Sequence, residues 1–210
     1  MDTPRIIFED NHLLVAYKPR GYLSQSDGSD APDMLTFLKA YLKEKYNKPG
    51  NVFLGLVHRL DRNVCGIMVF AKTSKCASRL SKQIRENKFH KGYKALVSGK
   101  LDGEGKLVNY LFKDTKTNTT TVFDKETEGA KYSELRYKVL NFDGKNTEVE
   151  IMLVTGRSHQ IRAQFSHIGH PLVGDTKYGG PACPEGIMLE AFCLSFYHPV
   201  SGELMEFGGE

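Results

Sequence analysis

Three short polar segments carry side chains whose types and spacing can do chemistry. The first, His58-Arg59-Leu60-Asp61-Arg62-Asn63, sets one carboxylate among two guanidinium groups and an imidazole, between apolar runs at residues 52–57 and 66–71. Neighbouring arginines favour the ionised form of a carboxylate, and an ionised carboxylate can serve as nucleophile or base. An exposed, solvated loop is the plainer reading of the same residues. The second is Thr155-Gly156-Arg157-Ser158-His159-Gln160-Ile161-Arg162. Gly156 allows a tight exit from the preceding strand. Ser158 is a candidate N-cap, which would aim the following backbone N–H groups at an anion. Arg162 shares a helix face with His159 and Ser166 and avoids the stripe of Ile161, Phe165 and Ile168. One of Arg157 and Arg162 can pair with a carboxylate and the other with phosphate; a solvated helix face is the plainer alternative. The third segment is Lys91-Gly92-Tyr93-Lys94-Ala95. A strand tyrosine usually packs, but one flanked by lysines can also stack on a nucleic-acid base.

Positioning these groups needs a folded scaffold, and the composition supplies one. The chain has 210 residues, 40% of them hydrophobic, with no Trp. That is enough to bury a substantial core. The formal net charge of +4 permits a polyanionic partner without demanding one. No secretory signal or membrane-length apolar run is visible, so a cytoplasmic protein is expected. Cys65, Cys76, Cys183 and Cys193 form no CxxC pair and no zinc-ligand spacing, so they read as reduced, mostly buried thiols. His167 and His170 bracket Gly169 and precede Pro171, which argues against a metal-binding helical pair. No metal site is expected.

Hydrophobic periodicity places the segments. Two short strands are expected within residues 6–17, split at Asn11-His12, and a loop at 24–32. A helix follows, capped by Asp33 with Leu35, Leu38 and Leu42 on one face. Strands are expected at 52–57 and 66–71. A second helix is capped by Thr73 or Ser74 and buries Ala77, Leu80 and Ile84. A strand at 93–97 precedes a polar surface excursion at 113–130. Strands at 132–140 and 149–154, a third helix at 158–168, and two strands between 187 and 207 complete the chain. The pattern is α+β, with a mixed, mostly antiparallel sheet flanked by helices, in one domain spanning residues 1–210 without an internal linker.

Taken in order, the segments resemble one family. His58-Arg59-Leu60-Asp61, with Gly66 and the strand that follows, resembles the HRLD signature of the RluA-type pseudouridine synthases. The 155–162 segment is similar to their TGRxHQ(I/L)R signature. Lys18-Pro19-Arg20-Gly21 resembles the KPxG motif, residues 91–95 the tyrosine-bearing strand, and Gly169-His170-Pro171 through Gly174-Asp175 and Tyr178-Gly179 the GHPxxGDxxYG segment. The resemblance runs from about residue 6 to 207. It departs at Glu190, where the family commonly has His before Ala191.

The resemblance implies the pseudouridine synthase catalytic fold; it departs from longer members in that no separate S4-like RNA-binding domain is expected, which leaves substrate choice to the catalytic domain. It implies an isomerase that converts selected uridines of ribosomal or transfer RNA to pseudouridine without metal or organic cofactor. Asp61 is then the catalytic aspartate, Tyr93 the tyrosine packing on the target base, and Arg162 the cation pairing with the aspartate. Arg59 is expected to fill the gap left by a flipped nucleotide. Lys18, Arg20, Arg62, Lys72, Lys75 and Arg157 are candidate phosphate contacts. The chain is expected to act as a monomer, away from membranes. Two rivals remain: a non-catalytic RNA-binding module on the same scaffold, and a hydrolase of nucleosides or glycosides. The hydrolase would need a second carboxylate. Asp175 is a candidate, although a structural place in the turn at Gly174-Asp175 suits it better.

Overall fold

The computed structural model describes residues 2–209. In chain order its elements are β1 (Arg5–Glu9), β2 (Leu13–Lys18), α1 (Met34–Lys45), β3 (Gly55–Leu56), β4 (Cys65–Ala71), α2 (Ser74–Arg85), β5 (His90–Ser98), β6 (Glu104–Asp114), β7 (Thr119–Phe123), β8 (Lys131–Phe142), β9 (Asn146–Leu153), α3 (Gln160–His167), a 3₁₀ turn (Thr176–Tyr178), β10 (Leu189–Tyr197) and β11 (Leu204–Gly208). The contacts group these into two compact units. One runs through His90 and resumes at Ala191; the other is Lys91–Glu190. No helix among the described residues is long and apolar enough to cross a membrane.

The first unit builds its sheet in the order β1-β2-β4-β10, with β11 on β10 and β3 on β4. β2 and β4 run antiparallel from Leu13↔Ala71 to Lys18↔Gly66. All seven residues of β4 are buried, which explains its unbroken apolar sequence. The core gathers Leu13, Val15, Val69, Leu80, Phe89 and Phe196. Each such side chain contributes roughly 1.5–3 kcal/mol when fully removed from water. Asp33 caps α1 by accepting from the Thr36 N–H, and Thr73 caps α2 by accepting from the Cys76 N–H. Both helices therefore start where their sequences place them. The strand expected at 52–57 shrinks to β3. It pairs only through Gly55↔Ala71 and Leu56↔Phe70, at the last two residues of β4.

The second unit carries the antiparallel order β5-β9-β8-β6-β7. Val149 and Ile151 of β9 face inward and Met152 outward, as strict alternation requires. The polar excursion at 113–130 is a hairpin arm in part. The Asp114 carboxylate accepts from the Lys116 and Thr117 N–H groups, and Asn118 closes the turn at φ 52°. The threonine-rich stretch then pairs with β6 as β7, a conformation suited to β-branched residues. The third helix is shorter than expected. It begins at Gln160, and its N-cap position is His159, left-handed at φ 52° and without a side-chain cap. Ser158 is therefore not the cap. Residues Gln160, Ile161, Arg162, Ala163, Gln164 and Phe165 are all buried, so α3 has no solvated face across those positions.

Candidate active site

In the first unit, the chain around Asp61 is held by the segment that follows β2. The Ser24 hydroxyl donates to the Leu60 carbonyl at 2.8 Å and accepts from the Leu60 N–H at 3.0 Å. The Gly21 N–H donates to the Arg62 carbonyl at 2.9 Å, and Arg62 Nε donates to the Gly21 carbonyl at 3.1 Å. Residues on both sides of Asp61 are thus tied at two points each. The Val64 N–H closes a turn on the Asp61 carbonyl. His58 accepts from the Val69 N–H through Nε2 and packs edge-on against Phe89, so it anchors the loop to β4. Behind the loop, Gly66 sits at φ 135°, and a Cβ there would lie 2.3 Å from the Ala191 carbonyl oxygen. Only glycine fits that approach.

Lys18 belongs to this bracing. The sequence reading makes it a phosphate contact, but it has no exposed surface. Its ammonium donates to the carbonyls of Arg62 at 3.1 Å and Pro19 at 3.2 Å. Burial pushes its pKa down to about 8, while Cys65 and Asp61 pull it back up and Arg20 lowers it further. The buried cation thus feels the Asp61 charge directly. Lys72 is also engaged, donating to Glu9 at 2.8 Å and to the Asp10 carbonyl. Arg59, Arg62 and Lys75 are exposed, and Arg20 and Asp61 half-buried.

In the second unit, Gln160 laces the 155–162 segment. Its Oε1 accepts from the Thr155 hydroxyl at 2.8 Å and the Arg157 N–H at 3.0 Å, and its Nε2 donates to the Glu134 carbonyl at 3.1 Å. Gly156 is not left-handed. A Cβ there would meet Lys91 Nζ at 2.9 Å, the end of a flexible side chain that can move aside, so neither space nor backbone demands glycine. Arg157 is exposed, with Nε donating to the Tyr132 carbonyl. Arg162 is 7% exposed and forms a two-pronged pair with Asp175: Nε to Oδ2 at 2.6 Å and Nη2 to Oδ1 at 2.8 Å. Such forks fix a guanidinium in plane and position. Asp175 therefore does more than shape its turn, and its buried carboxylate is committed to Arg162. That removes it as the second carboxylate of a hydrolase. Tyr93 is buried on β5, opposite Ile151 of β9. Glu190, where the resemblance departs, is half-buried in β10.

The sequence reading pointed to Asp61, Arg162 and Tyr93 but missed Ser24, Gln160 and the Arg162–Asp175 pair. A lone serine in a polar loop carries no signal of a partner 36 residues away. The Asp175 pairing had a faint one, since Gly174-Asp175 recurs in the motif quoted above.

The model of the RNA pseudouridylate synthase family matches residues 12–167, most of the chain. The chain belongs to the RNA pseudouridylate synthase family. Among curated relatives in that family, ribosomal large subunit pseudouridine synthase D of Yersinia pestis is 34% identical over 218 residues, covering 96% of this chain and 65% of that protein. Ribosomal large subunit pseudouridine synthase C of Vibrio cholerae is 33% identical over 209 residues, covering 96% of this chain and 64% of the other. The chain spans about two thirds of the length of these relatives. Among solved structures, human RNA pseudouridylate synthase domain containing 4 superposes with a TM-score of 0.80 at 19% identity, over 98% of this chain and 88% of that one. Human RNA pseudouridylate synthase domain containing 1 gives 0.74 at 23% identity, over 99% and 83%. Both share the pseudouridylate synthase fold, as the α+β reading of the sequence required.

Proposed function

We propose that this protein isomerises uridine to pseudouridine in RNA, with Asp61 as the catalytic residue. The observation that carries the reading is the bracing of the Asp61 loop: Ser24, Gly21 and Lys18 all bind the backbone on either side of one carboxylate. A merely solvated loop would not draw a buried hydroxyl and a buried ammonium. Preorganisation of this kind is what a charge-stabilising group requires.

A stacked uridine hides its glycosidic bond, so the nucleotide must leave the stack, at a cost of a few kcal/mol. Arg59, exposed beside Asp61 in sequence, offsets part of that by occupying the vacated space. The N1–C1′ bond then breaks, the uracil turns, and C5 bonds to C1′. The C5 proton is lost to water and N1 gains one, so the product is an isomer. Asp61 acts on the sugar as a nucleophile at C1′ or a base at C2′; addition at C6 of the base is the third route. Cleavage of a glycosidic bond builds positive charge on the sugar, which a carboxylate stabilises. Tyr93 and Arg162 take the base-facing and charge-balancing roles that the family resemblance assigns them. Arg20, Arg62, Lys75 and Arg157 supply phosphate contacts, so affinity should fall as salt rises. The relatives are named for the large ribosomal subunit, which makes its RNA the first substrate to test and transfer RNA the second. We take the working form to be a monomer that needs no cofactor.

The test is tritium release from RNA carrying 5-³H-uridine, with wild type and Asp61→Asn side by side. Wild type should release label on forming the C5–C1′ bond. The Asn variant should lose turnover by about a thousandfold or more while binding RNA nearly as well. Equal release by both would remove Asp61 from the chemistry. Binding without release by either would favour the RNA-binding module.

A further inference from the structure

Arg162 is held by more than its carboxylate. The guanidinium carbon lies over the Tyr178 ring, 5.0 Å from its centroid, so the same cation is gripped at its edge by Asp175 and seated over the face of an aromatic. Both arms come from one short stretch. Asp175 immediately precedes the 3₁₀ turn and Tyr178 ends it. We propose that Tyr178 is a positioning residue for Arg162, its ring setting the tilt of the guanidinium that Asp175 holds in plane. The proposal rests on the role given to Arg162 above and goes beyond it.

The ring is fixed from several directions. The Thr120 N–H of β7 donates to the Tyr178 hydroxyl at 2.8 Å. The hydroxyl pairs with His159 Nδ1 at 2.8 Å, and the two rings meet edge to face at 87°. The hydroxyl is thus held by two partners, Thr120 and His159, and which of Tyr178 and His159 donates follows the imidazole tautomer. The Ser166 hydroxyl donates to the Tyr178 carbonyl at 2.7 Å. The backbone around the turn cannot slide. A Cβ on Gly174 would lie 1.9 Å from the Gly186 carbonyl oxygen, and one on Gly180 would lie 2.0 Å from that of Leu172. A bidentate carboxylate restrains a guanidinium well in its own plane but resists tilting out of it less. A cation over an aromatic face, largely out of water, supplies the missing restraint. His159 explains its left-handed backbone in the same terms: φ 52° is the conformation in which its ring meets Tyr178 at the start of α3.

Ring and hydroxyl can be separated by substitution. Tyr178→Phe keeps the face under Arg162 and removes the ties to Thr120 and His159. Tyr178→Leu removes the face. With wild-type protein, RNA substrate and tritium release, the Leu variant should lose about tenfold or more in kcat, with KM within about threefold of wild type. The Phe variant should keep kcat within about threefold. Equal kcat losses in Phe and Leu, or a loss confined to KM, would overturn the proposal. A second measurement reads the wild type directly. In its ¹H–¹⁵N spectrum the Arg162 Nε–H, assigned by through-bond correlation along its own side chain, should exchange slowly, and the adjoining side-chain protons should be shifted upfield by the ring current. Side-chain protons at ordinary positions would sink the idea. Wild-type protein that releases no tritium from any RNA defeats the proposed function and this role together. Active wild type with an unimpaired, folded Leu variant defeats this role alone.

Discussion

Ser24 and Lys18 are small contributors by type and large ones by placement. The Ser24 hydroxyl bonds both the N–H and the carbonyl of Leu60. Ser24→Ala leaves two buried backbone groups unsatisfied, at about 1–3 kcal/mol. We expect that loss in urea denaturation, with a fall in turnover because Asp61 is the next residue. Lys18 makes a prediction about pH. Burial holds its folded pKa at about 8, against the ordinary 10.5 of a free lysine side chain. Between those values the unfolded chain binds more protons than the folded one, so this group makes stability rise with pH across the window. Lys18→Met removes the titration. The stability of wild type relative to that variant should therefore increase from pH 8 to 10, and a flat difference would mean the ammonium is not desolvated as the structure has it.

At the level of elements, the 155–162 segment depends on one amide. Gln160 ties Thr155, Arg157 and the Glu134 carbonyl, so α3 enters from a loop already fastened to β8. Gln160→Ala should free that loop and shift Arg157 without disturbing the Arg162–Asp175 pair. The expected result is faster hydrogen exchange at 155–159 and weaker RNA binding, with a smaller change in kcat than Tyr178→Leu produces. The helix starts make a simpler case. Asp33→Ala removes the cap from α1 and should cost about 1 kcal/mol of stability. These starts were legible because a cap is a local event: one side chain accepts from an N–H three residues on. The start of α3 was not, because His159 replaces a cap with a tertiary contact to Tyr178.

At the scale of the folded chain, each unit carries a polar hub that joins elements distant in sequence. In the first, Glu9 at the end of β1 accepts from Lys45, Tyr41 and Tyr46 of the α1 end and from Lys72 beyond β4. Burial would raise its pKa, but those four donors outweigh burial and bring it from 4.5 to about 2. Its contribution to stability is present above 4.5 and lost as pH falls toward 2. Glu9→Gln should be less stable than wild type at neutral pH, with a shallower loss of stability between pH 5 and 2. An unchanged acid limb would mean that the hub does not hold the unit together. In the second unit, the counterpart is Arg162 with Asp175, Tyr178 and His159.

What the amino-acid order determined by itself was the set of elements with local causes. Alternation marked β9, and the capped apolar stripes marked α1 and α2, each from neighbours within one turn or one strand. Asp61 and Arg162 read locally as solvated charges, and only the resemblance of their whole segments to the family signatures singled them out. The tertiary structure alone decided which partners the polar side chains take. It buried Lys18 under the Asp61 loop, gave Asp175 to Arg162, turned the 113–130 excursion into a paired hairpin, and laid the Tyr178 ring on a guanidinium. The reason is physical: a buried charge or amide is stable only if folding delivers its partner, and these partners come from 13 to 44 residues away.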